Sequence, residues 1–277
     1  QITALNAQTG PVLLAYRSNP ELRLIIEQNM RGMPACEVKA DDGVCHSVWV
    51  ISDREQVSAI TRIVDAMDSL YIADGHHRSA AASRVAAARG AGNPHHSGDV
   101  DYNYFLCVAF PHDEMRILDY NRVVKDLNGH SVADFLVRIA HQFTVTPVAT
   151  QARPAQASQF GMYLEGQWYR LDIQPALIPK DPVASLDVSL LQDHLLAPVL
   201  GIGDPRRDKR IDFVGGIRGL EELERRVDSG EMAVAFAMHP TSLEALMAVA
   251  DANQVMPPKS TWFEPKLADG LLSHVLD

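Results

Sequence analysis

The chain has 277 residues, 47% of them hydrophobic and 22% charged, enough to bury a full core as one large or two small domains. Its 35 acidic and 25 basic side chains give a formal charge of -10, the wrong sign for a protein that wraps nucleic acid. No apolar run approaches the roughly 20 residues of a membrane span, and no basic-then-apolar leader opens the chain. The expectation is a soluble cytoplasmic protein with neither a membrane nor a nucleic acid as partner. Cys36, Cys45 and Cys107 are unpatterned, which disfavours a disulfide framework or a zinc finger. A start at Gln1 rather than methionine reads as a piece of something longer.

In chain order, Pro11 to Tyr16 (PVLLAY) suits a buried strand. Glu21 to Met30 puts Leu22, Ile25, Ile26 and Met30 at helical spacing, with Asn19 as cap and Pro20 at the first helical position. A turn at Asp41-Asp42-Gly43 leads to a strand over Ser47 to Ile51. Ser52 or Asp53 then caps a helix carrying Val57, Ile60, Ile63, Val64 and Met67 on one face. Leu70 to Ala73 is a strand, Ser79 to Arg89 an alanine-rich helix, and Gly90 to Val100 a loop.

Tyr104 to Phe110 and Met115 to Leu118 read as paired strands around Pro111 to Glu114, and Ser131 to Phe143 as an amphipathic helix. Gly161 to Leu164 and Trp168 to Ile173 form a hairpin across Glu165-Gly166-Gln167. Helices follow at Ser189 to Leu200, Leu220 to Ser229 and Ser242 to Ala252, with a strand at Ala233 to Met238. The tail from Met256 to Leu267 reads as a proline-broken loop. The predicted fold is mixed α/β, of the α+β kind. Thr150 to Gln159, the only compositional linker, divides it into regions 1–150 and 151–277.

The sharpest chemical signal is Asp74-Gly75-His76-His77-Arg78, at the junction of a strand and a helix. A glycine permits a tight turn there, the first-turn N–H groups point outward, and the helix dipole favours negative charge. Arg78 adds a fork of donors matched to phosphate oxygens. His76 and His77 can donate hydrogen bonds or transfer protons, and Asp74 can orient an imidazole, a hydroxyl or Mg²⁺. An ordinary Asp-Gly turn with a satisfied histidine pair is the competing reading. Adjacent helical histidines point about 100° apart and lack a spaced third ligand, so no metal site is assigned.

The second signal is Lys259-Ser260-Thr261-Trp262-Phe263-Glu264-Pro265-Lys266, where lysines, hydroxyls, a carboxylate and aromatics crowd together. These residues suit a phosphate site with a stacked base, or alternatively a loop pinned by Trp262 and Phe263. Arg122 reads either as a structural salt-bridge partner or as a further phosphate ligand. Arg206 to Arg210 is a basic cluster of the kind that usually forms a solvated loop. His95-His96 has no assigned role.

Tyr71 to Arg78 (YIADGHHR) and Met256 to Lys266 (MPPKSTWFEPK) closely resemble the bacterial family called domain of unknown function ten-fifteen, which is sometimes described as linked to serine-biosynthesis genes. Ser185-Leu186-Asp187-Val188, Leu200-Gly201-Ile202 and Ile211 to Gly216 (IDFVGG) fit as well, so the resemblance covers essentially the whole chain. Family members carry a further N-terminal segment, which is expected to be missing here. Ser47 to Arg89 is also similar to the ParB and sulfiredoxin superfamily, in which a strand ends in Gly-x-x-Arg at a helix N-terminus that holds nucleotide phosphates. Gly75, His76, His77 and Arg78 occupy those positions. His76 stands where sulfiredoxin has its catalytic cysteine, which disfavours sulfinic-acid repair.

Some relatives of that superfold phosphorylate free serine. The resemblance therefore implies a nucleotide-dependent phosphotransferase or hydrolase that takes a small anionic ligand and ATP or ADP with Mg²⁺, with free serine as a candidate acceptor. Asp74, His76 and His77 would be the catalytic candidates. Gly75, Arg78, Arg122, Lys259, Ser260, Thr261, Glu264 and Lys266 would bind phosphate or nucleotide, the C-terminal group closing the site. A non-catalytic sensor of a nucleotide or phosphometabolite is the alternative.

Overall fold

The computed structural model describes residues 1–41, 43–264 and 270–276. It is a mixed α+β protein that divides into two units. Gln1–Met115 and the C-terminal residues form one, and Arg116–Glu264 the other. No helix among the described residues is long and apolar enough to cross a membrane.

The first unit opens with α1 (Ile2–Leu5) and β1 (Ala7–Gln8), then β2 (Val12–Tyr16), buried at every residue as its unbroken apolar run requires. In α2 (Pro20–Asn29) the Asn19 side chain accepts from the Leu22 N–H, and Pro20 lies in the first turn where no amide donor is needed. β3 (Cys36–Lys39) and β4 (Cys45–Val48) form a hairpin. The strand predicted over Ser47 to Ile51 therefore ends at Val48, where its partner runs out opposite Cys36. α3 (Arg54–Asp65) is capped by Asp53 through the Gln56 N–H.

β5 (Tyr71–Asp74) leads through Gly75 into α4 (His76–Gly92), and β6 (Cys107–Pro111) completes the unit's main sheet. That sheet has the order β5-β2-β6, with β2 antiparallel to β5 and parallel to β6. Tyr16, Leu22 and Ile63 pack with Ile25, Ile60 and Met67, fastening α2 and α3 to it. α4 begins three residues earlier than its alanine run suggests, and it extends through Gly90 to Gly92, where a loop was predicted. In the remaining loop His96 stacks on Tyr102 and lies 2.9 Å from its hydroxyl, a packing role.

The hairpin predicted across Pro111 to Glu114 does not form. β6 pairs in parallel with β2 of its own unit, while β7 (Arg116–Leu118) belongs to the second unit and pairs elsewhere. A three-residue 3-10 turn, His112–Glu114, separates them.

The second unit continues with β8 (Tyr120–Val124), α5 (Val132–Ile139), β9 (Phe143–Val148), β10 (Gln159–Leu164) and β11 (Gln167–Ile173). Then come α6 (Asp187–Leu191), β12 (Ile211–Gly215), α7 (Glu221–Asp228), β13 (Val234–Ala237), α8 (Leu243–Asp251) and β14 (Trp262–Glu264). Six strands form an antiparallel sheet in the order β12-β8-β13-β10-β11-β9. Both of its faces are covered, and alternate residues serve opposite sides. Phe160, Met162 and Leu164 join a cluster with Phe135, Leu191 and Phe236, whereas Tyr163 joins Trp168, Leu223 and Val227 on the other side.

The β10–β11 hairpin turns on Glu165 and Gly166 alone. Both have positive φ, and Leu164 lies opposite Gln167, a two-residue turn whose twist matches the strands. Thr150 to Gln159 lies inside this unit, on the connection from β9 to β10.

Three predicted elements differ in extent. The helix after Ser131 stops at Ile139, because Phe143-Thr144-Val145-Thr146 is an aromatic and β-branched run that pairs with β11. The helix predicted over Ser189 to Leu200 starts at Asp187 and passes into a π-helical turn, Gln192–Leu196. The tail contains a strand, since β14 pairs with β7, Trp262 opposite Leu118. Pro265 to Leu267 lie outside the described residues. Beyond them β15 (His274–Val275) pairs with β1 in the first unit. The basic cluster is internally compensated: Asp204 pairs with Arg206 and Arg207, and Arg210 with Asp208 and Asp126.

Candidate functional site

In the first unit the junction of β5 and α4 has the geometry that its sequence suggests. Gly75 is the helix N-cap at φ 90°, ψ 24°, a left-handed conformation that side-chain-bearing residues rarely adopt. A Cβ on Gly75 would lie 3.2 Å from the Val12 Cα and 3.2 Å from the Arg78 Nε. Glycine is thus required twice over, by conformation and by the closeness of β2. No side chain caps α4, and its first helical bond runs from the Ser79 N–H to the Gly75 carbonyl at 3.0 Å. The amides of His76, His77 and Arg78 come before that bond, at the positive end of a 17-residue helix.

Arg78 folds back across the turn. Its guanidinium donates to the Pro11 carbonyl and lies 3.6 Å from the Asp74 carboxylate, with the side chain about one-third exposed. Asp74, His76 and His77 are exposed. The turn therefore offers helix amides, an arginine fixed in place, two imidazoles and a carboxylate. Such a set can bind an oxyanion, and a carboxylate can join phosphate oxygens around Mg²⁺, which needs only one or two protein carboxylates.

The remaining candidates fall in the second unit, apart from Lys266, which lies outside the described residues. Arg122 is buried on β8, directly opposite Phe213 on β12, with its guanidinium carbon 5.5 Å from that ring. It donates to the carbonyls of Tyr120 and Lys259, the latter at 2.8 Å. Burial pulls its pKa down to about 10, so it stays charged at neutral pH. Neither sequence reading anticipated this role: Arg122 pins the segment that carries Lys259.

Lys259 is exposed, in the left-handed region at φ 59°, with its ammonium 5.7 Å from the Tyr120 ring and 5.8 Å from Phe213. Tyr120 meets Trp262 edge-on at 5.2 Å. Ser260 is buried, its hydroxyl donating to the Pro257 carbonyl at 2.5 Å, and its own carbonyl accepts from Thr241. Thr261 leads into β14, where Glu264 stands opposite Arg116.

Residue order hides this cluster. Tyr120, Phe213 and Trp262 complete it, and only the pairing of β8 with β12 and of β7 with β14 brings them together. Asp119 is a further buried carboxylate, held by the Asn121 amide at 2.6 Å and with Arg153 at 3.9 Å.

Asp187, in the family-like stretch after Ser185, is also buried. Its Oδ1 accepts from the Ser158 N–H at 2.7 Å, and its Oδ2 has no hydrogen-bond partner among the described residues. Burial pushes its pKa up to about 6, which the Ser158 N–H only partly offsets. A folded pKa raised above the unfolded value of about 3.9 gives a contribution present below pH 4 and lost as pH rises through 6. Asp187→Asn keeps the acceptor and removes the charge. Urea denaturation should find the variant up to about 3 kcal/mol more stable than the parent at pH 8 and equal to it at pH 4. A gain of the same size at both pH values would contradict this account of the carboxyl.

A family model described as protein of unknown function (DUF1015) matches residues 1–189 of this sequence. The chain belongs to that family. The match takes in the β5–α4 turn, Arg122 and Asp187, while the segment from Lys259 to Glu264 lies beyond it. No curated protein matches this member of the family.

Among solved structures, a conserved hypothetical protein from Pyrococcus furiosus is similar at 14% identity and a TM-score of 0.43, over 97% of this chain and 82% of that one. A free serine kinase in complex with AMP is similar at 12% identity and a TM-score of 0.42, over 95% of this chain and 76% of that one. A mutant of a free serine kinase in complex with ADP gives 14% identity and 0.42 over the same shares. Likenesses this loose leave the function to be read from the chain's own residues.

Proposed function

We propose that this family member is a nucleotide-binding phosphotransferase acting on a small metabolite, with the β5–α4 turn as its phosphate site and a ParB/sulfiredoxin-like arrangement of strand, turn and helix around it. The observation that carries the reading is Gly75. Its left-handed conformation and contact with Val12 leave a helix N-terminus that no side chain caps, with the Arg78 guanidinium beside it, a combination of backbone amides and positive charge that suits a phosphate. In this reading Arg78 neutralises the phosphate from a fixed position, and Asp74 or His76 orients the acceptor hydroxyl.

Phosphoryl transfer asks little covalent chemistry of a protein, since most of the rate comes from positioning and charge stabilisation. Bound ATP with Mg²⁺ would supply the phosphoryl group and shield its charge. The acceptor to try first is free L-serine, a primary alcohol small enough for an open turn. Lys259, beside Tyr120 and Phe213, is proposed as a further anion-binding group within the second unit.

Incubating the chain with ATP or ADP, Mg²⁺ and L-serine should yield phosphoserine, detected by mass spectrometry. Nucleotide binding without turnover of serine or other small alcohols would instead assign a sensing role. Failure to bind either nucleotide would remove the reading altogether.

A further inference from the structure

β3 and β4 stand apart from the rest of the first unit. They form a two-stranded sheet with no other strand neighbour among the described residues, and all four residues of β3 are exposed. A two-stranded ribbon is marginal in water by itself, and an open strand edge is a template for another strand. Met33 beside it is 94% exposed, and Val38 within it 45%.

The backbone fixes which residues face that edge. The Ala40 N–H bonds to the Val44 carbonyl at 2.8 Å, and the register pairs Cys36 with Val48 and Lys39 with Cys45. By the alternation of an antiparallel ladder, Cys36, Val38 and Ala40 bond toward β4. Glu37 and Lys39 then turn their N–H and C=O groups to the open side.

We propose that the chain self-associates as a two-fold dimer through β3, the two strands lying antiparallel about an axis at Val38. Only this register satisfies backbone and side chains together. It makes Glu37 and the partner's Lys39 a hydrogen-bonded pair, and Lys39 and the partner's Glu37 another. Each pair places opposite charges directly across the junction on one face, while Val38 meets the partner's Val38 on the other. The two-fold axis makes every contact occur twice.

An edge protected against self-pairing would carry charges of one sign, so that a second copy is repelled. Here the alternation Glu37-Val38-Lys39 is complementary to its own reversal. β4, with Cys45-His46-Ser47-Val48, has no such pattern. Ser47 donates to Glu37 at 2.9 Å and so holds that carboxylate on the face where the partner's lysine would arrive. The product is a four-stranded sheet in which both β3 strands are central.

The contact is short, so its affinity belongs in the micromolar range and not among permanent dimers. Sedimentation velocity on the whole chain, from about 1 to 200 µM, should show a concentration-dependent shift from monomer to dimer. Lys39→Glu sets carboxylate against carboxylate at both pairs and should raise the dissociation constant roughly tenfold or more. Combining it with Glu37→Lys restores opposite charges in the reversed sense and should restore the dimer. A monomer at every concentration, a dimer indifferent to Lys39→Glu, or a double variant that stays dissociated would each overturn the proposal.

Discussion

Gly161→Ala is expected to destabilise the second unit by roughly 3 kcal/mol, the upper end of what overpacking a core costs. Gly161 lies on β10, hydrogen-bonded between β11 and β13 near the middle of the six-stranded sheet. A Cβ added there would stand 1.9 Å from the Ala152 carbonyl oxygen and 3.1 Å from the Ala237 Cβ. The first contact is with backbone, which cannot rotate aside as a flexible side chain would. Relief requires moving either the chain around Ala152 or β10 itself, and β10 is tied on both edges. Phe160 and Met162 on either side are fully buried, so a shift of β10 also disturbs the larger core. Urea denaturation should give a lower midpoint with an unchanged slope. A variant as stable as the parent would mean that the Ala152 segment yields freely, and the close packing described for this sheet would be wrong.

Local chemistry was legible in the sequence, and long-range pairing was not. Asn19 with Pro20, Asp53, Ser131 and Ser242 each announced a helix start, because a cap acts over three residues. The β5–α4 turn was legible for the same reason: a glycine between an apolar strand and an alanine-rich helix carries its meaning within a few residues.

The aromatic surroundings of Lys259 were not legible as a site. Phe213 comes to Arg122 only through the register of β12 on β8, and Trp262 comes to Tyr120 only once β14 has paired with β7. Arg122 itself could not be read, since a buried guanidinium bonded to two carbonyls leaves no pattern in the residues beside it. The strands at Cys36–Lys39 and Trp262–Glu264 were missed because four or three residues carry too little periodicity without their partners. The hairpin predicted across Pro111 failed for the converse reason. Two apolar runs near in sequence found stronger partners far away, β6 on β2 and β7 on β14.

The second large effect is expected at Arg78. Its guanidinium is held by the Pro11 carbonyl and lies near Asp74, so its charge is fixed beside Gly75 at the start of α4. A preorganised donor costs a ligand little ordering, and a charge-assisted hydrogen bond to phosphate contributes about 1.5–3 kcal/mol. Arg78→Ala removes that donor and leaves the Gly75 turn and the helix amides in place. Asp74 then faces an incoming phosphate without its counter-charge, which acts in the same direction. Lysine at this position should recover only part of the affinity, because an ammonium cannot reproduce the planar fork.

The most direct measurement is isothermal titration of the parent chain and of Arg78→Ala with ATP and Mg²⁺ at one fixed ionic strength, with circular dichroism confirming that both are folded. Saturable binding by the parent, weakened about 10- to 150-fold in the variant, is the predicted result. Equal affinity in the two proteins, or no binding by the parent, would contradict the assignment of the β5–α4 turn as a nucleotide phosphate site.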